Sequence, residues 1–167
     1  MPQSNAASPT IDTILDNVLS DNVTAGTLGT GSPRVASKTV TFTGASGLGQ
    51  SATNTTWFTV TGLILVEFIA GRVTTNLTVS AGATITLGVT GSTSLFIAAT
   101  AGSTLLTSAE IWASTTATAA GIAIPAALKA VAIDANILSA VAVNNITAGV
   151  IEMNLIWRPL TPGATVT

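Results

Sequence analysis

Charge is what this chain of 167 residues has least of. Asp, Glu, Lys and Arg make up 7% of it, against roughly a quarter in an average soluble domain. The polar positions are filled by Thr, Ser, Asn and Gly instead. A free monomer normally keeps itself soluble with mixed surface charge. A surface of hydroxyls and small residues suits faces covered by further copies or by a partner, because uncharged groups cost less to desolvate. The composition therefore predicts a homo-oligomer.

Other absences remove whole classes of chemistry. There is no Cys and no His. Disulfide frameworks, thiolate nucleophiles, Ser-His-Asp triads and His/Cys zinc sites are excluded with them. The five cations Arg34, Lys38, Arg72, Lys129 and Arg158 are scattered, and the net charge is −2. Nucleic-acid binding through phosphate neutralisation is not expected, nor is a basic membrane-binding face. Met1-Pro2-Gln3-Ser4-Asn5 lacks a basic and then apolar start, so no signal peptide is expected. Gly121–Val143 is the most apolar long stretch, but Pro125, Lys129, Asp134 and Asn136 interrupt it, which argues against a membrane span. Asp12, Asp16 and Asp21 follow helical rather than calcium-loop spacing. Gly44–Gly49 lacks the Lys of a phosphate-binding loop and no helical pattern follows it. No cofactor and no metal is expected.

Residues 1–36 read as an arm. Ser8 can cap a helix and Pro9 suits its first position. Ile11, Ile14, Leu15, Val18 and Leu19 then recur at the i, i+3, i+4, i+7, i+8 spacing of one apolar stripe. A helix this short is marginal alone, so the stripe must dock. It either packs on its own domain or serves as a peg or self-association seam towards a partner. Thr24–Ser37 is a Gly/Thr/Ser linker.

The remainder, 37–160, is read as one domain of strands, with a mobile tail over 161–167. Thr39–Thr43 alternates and stops at Gly44–Gly49. Thr56–Thr61 alternates, turns at Gly62, and continues as Leu63–Ala70. That run is apolar on both faces except for Glu67 and is bounded by Gly71, so it reads as a buried central strand. Ala83–Thr90 and Ser94–Ala99 form a hairpin around Gly91-Ser92, a type II′ composition with Gly first. Ala109–Ser114, Val131–Asp134, Ile137–Val143 and Gly149–Arg158 complete eight to ten strands. Pro125 makes Ile124 extended, and Pro125–Lys129 suits one helical turn. The Ala-rich stretch 117–142 leaves a helix open as an alternative. The spacing of strands and turns predicts an all-β, antiparallel β-sandwich of jelly-roll type with a short N-terminal amphipathic helix.

Three candidate sites compete with a structural role. Glu67 and Glu152 sit mid-strand, as a carboxylate pair for glycoside hydrolysis would require. Arg72 and Arg158 end the same two strands, so ion pairing is the favoured reading and no enzyme is expected. Trp57, Trp112 and Trp157 suit a glycan platform of a carbohydrate-binding or adhesin module, but each lies inside a strand, where aromatics more often pack in a core or subunit interface. The arm stripe is the third candidate and the favoured partner-binding site.

Phrases from Lys38 to Pro159, among them KTVTFTGASGLGQ, TWFTVTGLILVEFIAG, LGVTGSTSLFIAAT, EIWAS and IEMNLIWRPL, resemble small structural proteins of tailed bacteriophage particles. The resemblance implies a jelly-roll or related β-sandwich that forms homotrimers. It implies a virion location, after assembly in the host cytoplasm, as a capsid decoration, spike or fibre. A terminal arm would attach it to the major capsid protein or another virion protein. No catalytic residues are carried over.

Overall fold

Two long strands organise the molecule. In the computed structural model, which describes residues 32–105 and 107–167, β4 (Ile64–Val79) runs antiparallel to β10 (Ile146–Pro159) over nearly its whole length. β1 (Arg34–Thr41) lies on the free side of β10. β7 (Ile111–Trp112) and β8 (Val131–Ile133) pair successive parts of the far side of β4. A second antiparallel sheet has the order β2 (Asn54–Phe58), β9 (Ile137–Ala142), β5 (Thr84–Val89), β6 (Ser92–Ala101). β3 (Val60–Thr61) and β11 (Thr165–Val166) make a short ladder of their own. The protein is therefore all-β, as expected, with antiparallel sheets throughout the described residues.

The pairing is nested. β5 pairs β6, β4 pairs β7 and β8, β2 pairs β9, and β1 pairs β10. β1, β2, β4 and β5 thus meet strands behind the β5–β6 turn in reverse order, while the β3–β11 ladder lies outside this nesting. The further pairs β4–β10 and β5–β9 join its layers sideways.

Alternation within β10 sets the core. Ile151, Met153, Leu155 and Trp157 are buried, while Glu152, Asn154, Ile156 and Arg158 are half-buried on the opposite face. The second sheet contributes Ile85, Leu87, Ile137 and Val141 to the same cluster. At roughly 25 cal/mol per Å2 of apolar surface, this shared core is the main stabilising term.

Several expectations change at bulges and glycines. β4 does not stop at Gly71; it continues to Val79. Gly71 is instead where Ile151 and Trp112 press on the strand, and an added Cβ would lie 3.2 and 3.3 Å from them. Gly149 sits inside β10 at φ +110°, facing Leu77. The alternation expected over Thr56–Thr61 breaks, because a register shift between Thr56 and Phe58 leaves Trp57 and Phe58 both buried. The β5–β6 loop is Thr90-Gly91, since Val89 pairs Ser92. Gly91 is thus second in the turn and carries its positive φ of +89° there, whereas type II′ needs it first.

The boundaries also move. β1 begins at Arg34, inside the stretch read as linker. Residues 161–167, read as a mobile tail, fold back: Thr59 and Thr167 exchange backbone hydrogen bonds of 2.7 and 3.0 Å, and Ala164 is buried. In the Ala-rich stretch the only helical turn is a 3-10 turn at Ala126–Leu128, following Pro125 as expected. The stripe residues Ile11, Ile14, Leu15, Val18 and Leu19, and the helix expected to carry them, lie outside the described residues.

Candidate functional site: the outer face of the larger sheet

A β-bulge places Glu67. Trp157 is opposite Val66 and Ile156 is opposite Phe68, so Glu67 has no partner of its own on β10. Before the bulge Ile64 and Val66 point into the core; after it Ile69, Gly71 and Val73 do. The extra residue flips the phase of the strand, as a bulge must when side chains alternate with period two. Two core phases are thereby joined in one long strand.

The bulge puts the Glu67 carboxylate on the outer face, where Arg158 Nε lies 2.5 Å from Glu67 Oε1. The Arg158 Nε–H has no well-aligned hydrogen-bond acceptor, so the contact is an ion pair rather than a directed hydrogen bond. It is the one ion pair within 4 Å among the described residues. With the side chains 39% and 25% exposed, solvent screening keeps its worth low.

Beside this pair a concavity of about 390 Å3 opens between β4 and the turn before β8, lined by Leu65, Glu67, Ala126, Lys129 and Ala130. Ala130 holds a positive φ of 58° at its rim. The volume is within the range of small-ligand pockets, but Glu67 does not stand alone in it: its charge is already met by Arg158.

Further along the same face, Val35, Ile156 and Phe68 are Cα partners across β1, β10 and β4. Partners in antiparallel strands share a face, so they form one apolar row across the sheet. Val35 is 75% exposed, while Ile156 and Phe68 are half-buried. The next rows are Ser37, Asn154 and Ala70, then Thr39, Glu152 and Arg72.

This arrangement separates the two carboxylates of the candidate pair. Glu152 is opposite Arg72, and Glu67 is opposite the Ile156–Trp157 step. Along β4 the two levels are five residues apart, roughly 17 Å at ~3.4 Å per residue. Glycosidase carboxyl groups stand about 5 to 9.5 Å apart. Among the described residues no group of three or more potential metal-ligating side chains converges, and no helix is long and apolar enough to cross a membrane.

The three tryptophans are all buried. Trp112 Nε1 donates to Thr100 Oγ1 at 3.3 Å. Trp57 meets Phe42 edge-on, and the Arg34 guanidinium lies 5.1 Å from the centre of the Trp157 ring. None offers a free face to a sugar, which removes the tryptophan platform. What the sequence reading missed was Val35, hidden in a Gly/Thr/Ser context, and the convergence of Lys129 on Glu67, which are far apart in the chain.

Compared with known proteins, the chain matches no protein-family model, no curated protein and no solved structure.

Proposed function

We propose that the protein is a structural component of a virus particle, a capsid decoration, spike or fibre-type protein built on a jelly-roll β-sandwich. The observation that carries this reading is the nested strand pairing. Wrapping one long hairpin into two sheets is the path of a jelly roll, and viral shells are a principal home of that architecture. Strand orders β1-β10-β4-β7 and β2-β9-β5-β6 are the orders such wrapping produces. Because fold does not imply function, the reading also leans on the scarcity of charge, which favours a homo-oligomer, a trimer in this proposal.

The arm of residues 1–36 would attach it to the major capsid protein or another virion protein, through burial of Ile11, Ile14, Leu15, Val18 and Leu19. Three weak tethers on one trimer raise avidity by about 10²–10⁴-fold. Neither nucleic acid nor membrane is a partner in this reading, and no reaction is catalysed. Deleting residues 1–22 should abolish co-sedimentation with particles while leaving the domain folded. Undiminished co-sedimentation would reject the arm as the attachment.

The concavity beside Glu67 favours a second reading, a carbohydrate-binding or adhesin module. Glycan-array binding that disappears in Glu67→Gln, with folding intact, would favour it over the first.

A further inference from the structure

We propose that the stripe of residues 11–19 docks, in the free protein, on the outer face of its own larger sheet, along the Val35–Ile156–Phe68 row and towards the concavity at Leu65. The proposal goes beyond the preceding reading, although it uses the same arm: the stripe is stored on the sheet until a partner displaces it.

Four observations converge on this occupant. First, the described chain begins at Ser32, two residues before β1, whose Val35 opens the apolar row. Thirty-one residues precede it. From Leu19 to Val35 an extended chain reaches about 50 Å at ~3.3 Å per residue, ample to return across three strands. Second, the face carries apolar surface that the described residues cover only in part: Ile156 and Phe68 are half-buried, and Val35 is the most exposed of the described large hydrophobic residues. Third, the concavity of about 390 Å3 at the far end of the row is of a size to take an apolar side chain.

Fourth, the charges are complementary. Asp12, Asp16 and Asp21 are the only charged side chains before Arg34. The rest of the chain holds all five cations against four acids. A segment of formal charge −3 therefore faces a body of +1. At helical spacing Asp12 and Asp16 fall along one edge of the apolar stripe. The outer face offers exposed Lys129 at the concavity and exposed Arg72 at its other end. A tether of this length favours the sheet of the same chain, since it holds the stripe at an effective concentration in the millimolar range.

The absence of cysteine makes the test clean. In the full-length chain, Val18→Cys is combined with Val35→Cys, and separately with Val143→Cys as a control. Val143 is 68% exposed and lies before the opposite end of β10. Mild oxidation of the free protein is followed on a non-reducing gel. The expected result is an intramolecular disulfide in the Val18/Val35 pair, forming at least several-fold faster than in the control pair. Adding Asp12→Lys and Asp16→Lys should slow it several-fold. Equal rates in both pairs, or no disulfide in either, would overturn the proposal. A covalent dimer in place of the intramolecular product would also overturn it, in favour of an arm exchanged between copies. The readout needs no particle, so its failure leaves the attachment experiment above independent.

Discussion

The two faces of β10 are built from alternate residues of one strand, yet they obey different rules. Inward, Ile151, Met153, Leu155 and Trp157 are buried in a core shared by both sheets. Outward, Glu152, Asn154, Ile156 and Arg158 are all half-buried, mixing charge, amide and apolar surface. Such a mixture is what an exposed sheet face carries, since apolar atoms supply more than half of ordinary protein surface. The difference teaches that position on the strand says where a side chain points, while the neighbours of each face decide what it is for.

Substitutions can break this contrast. The largest effects should fall on the inward face. Leu155→Ala should cost about 2–5 kcal/mol, read as a shift in the denaturation midpoint at unchanged slope. A cost below ~1 kcal/mol would mean that the two sheets do not share a packed core. Next comes the backbone beneath both faces. Gly149→Ala should cost about 1–3 kcal/mol or more, because an added Cβ would meet Leu77 Cδ2 at 2.5 Å and the Asn76 carbonyl oxygen at 2.7 Å, at a φ of +110°. Thermal unfolding that is indistinguishable from the parent protein would contradict that close approach.

The outward face should respond weakly. Glu67→Gln removes one partner of the Arg158 ion pair and should cost no more than about 1 kcal/mol, since Arg158 is more than a third exposed. A loss comparable to that of Leu155→Ala would show the bulge depends on the ion pair rather than on the phase change it produces. The smallest change belongs to the second sheet. Ser139 is buried opposite Thr55, and the hydroxyls of both lack a hydrogen-bond partner among the described residues. Ser139→Ala should leave stability unchanged or raise it by up to about 1 kcal/mol. A clear loss in chemical denaturation would instead indicate that a water molecule bridges the two hydroxyls.

Much of the fold could be read from local pattern. The β5–β6 hairpin, β9 and the central position of β4 and β10 follow from alternation and from turn residues. The misreadings have a common cause. Gly71 looks like punctuation because glycine often ends strands, but here it makes room for Trp112 and Ile151. Trp57 and Phe58 look like opposite faces of one strand until a register shift buries both. Gly91 is placed correctly in its turn and wrongly by one position, because pairing across the hairpin fixes the loop. The tail from Thr161 has the composition of a mobile end, yet its last residues find hydrogen-bond partners at Thr59.

The candidate site was less legible. Glu67 could be singled out as an acid in an apolar run, and its pairing with an arginine at a strand end anticipated. Arg158 rather than Arg72 is the partner. Residues 72 and 152 are matched across the ladder instead, so the two pairs are cross-connected between strands that are distant in sequence.

The sequence by itself determined that this protein is made of antiparallel strands, is poor in charge, and lacks the side chains for nucleophilic triads or thiolate chemistry. Those properties reside in residue types and in a period of two, which need only neighbouring residues. Only the tertiary structure decided the nesting of the strands, the bulge at Glu67 and the row from Val35 to Phe68. Each depends on register between strands far apart in the chain, and register is set by the joint packing of both sheets on one core.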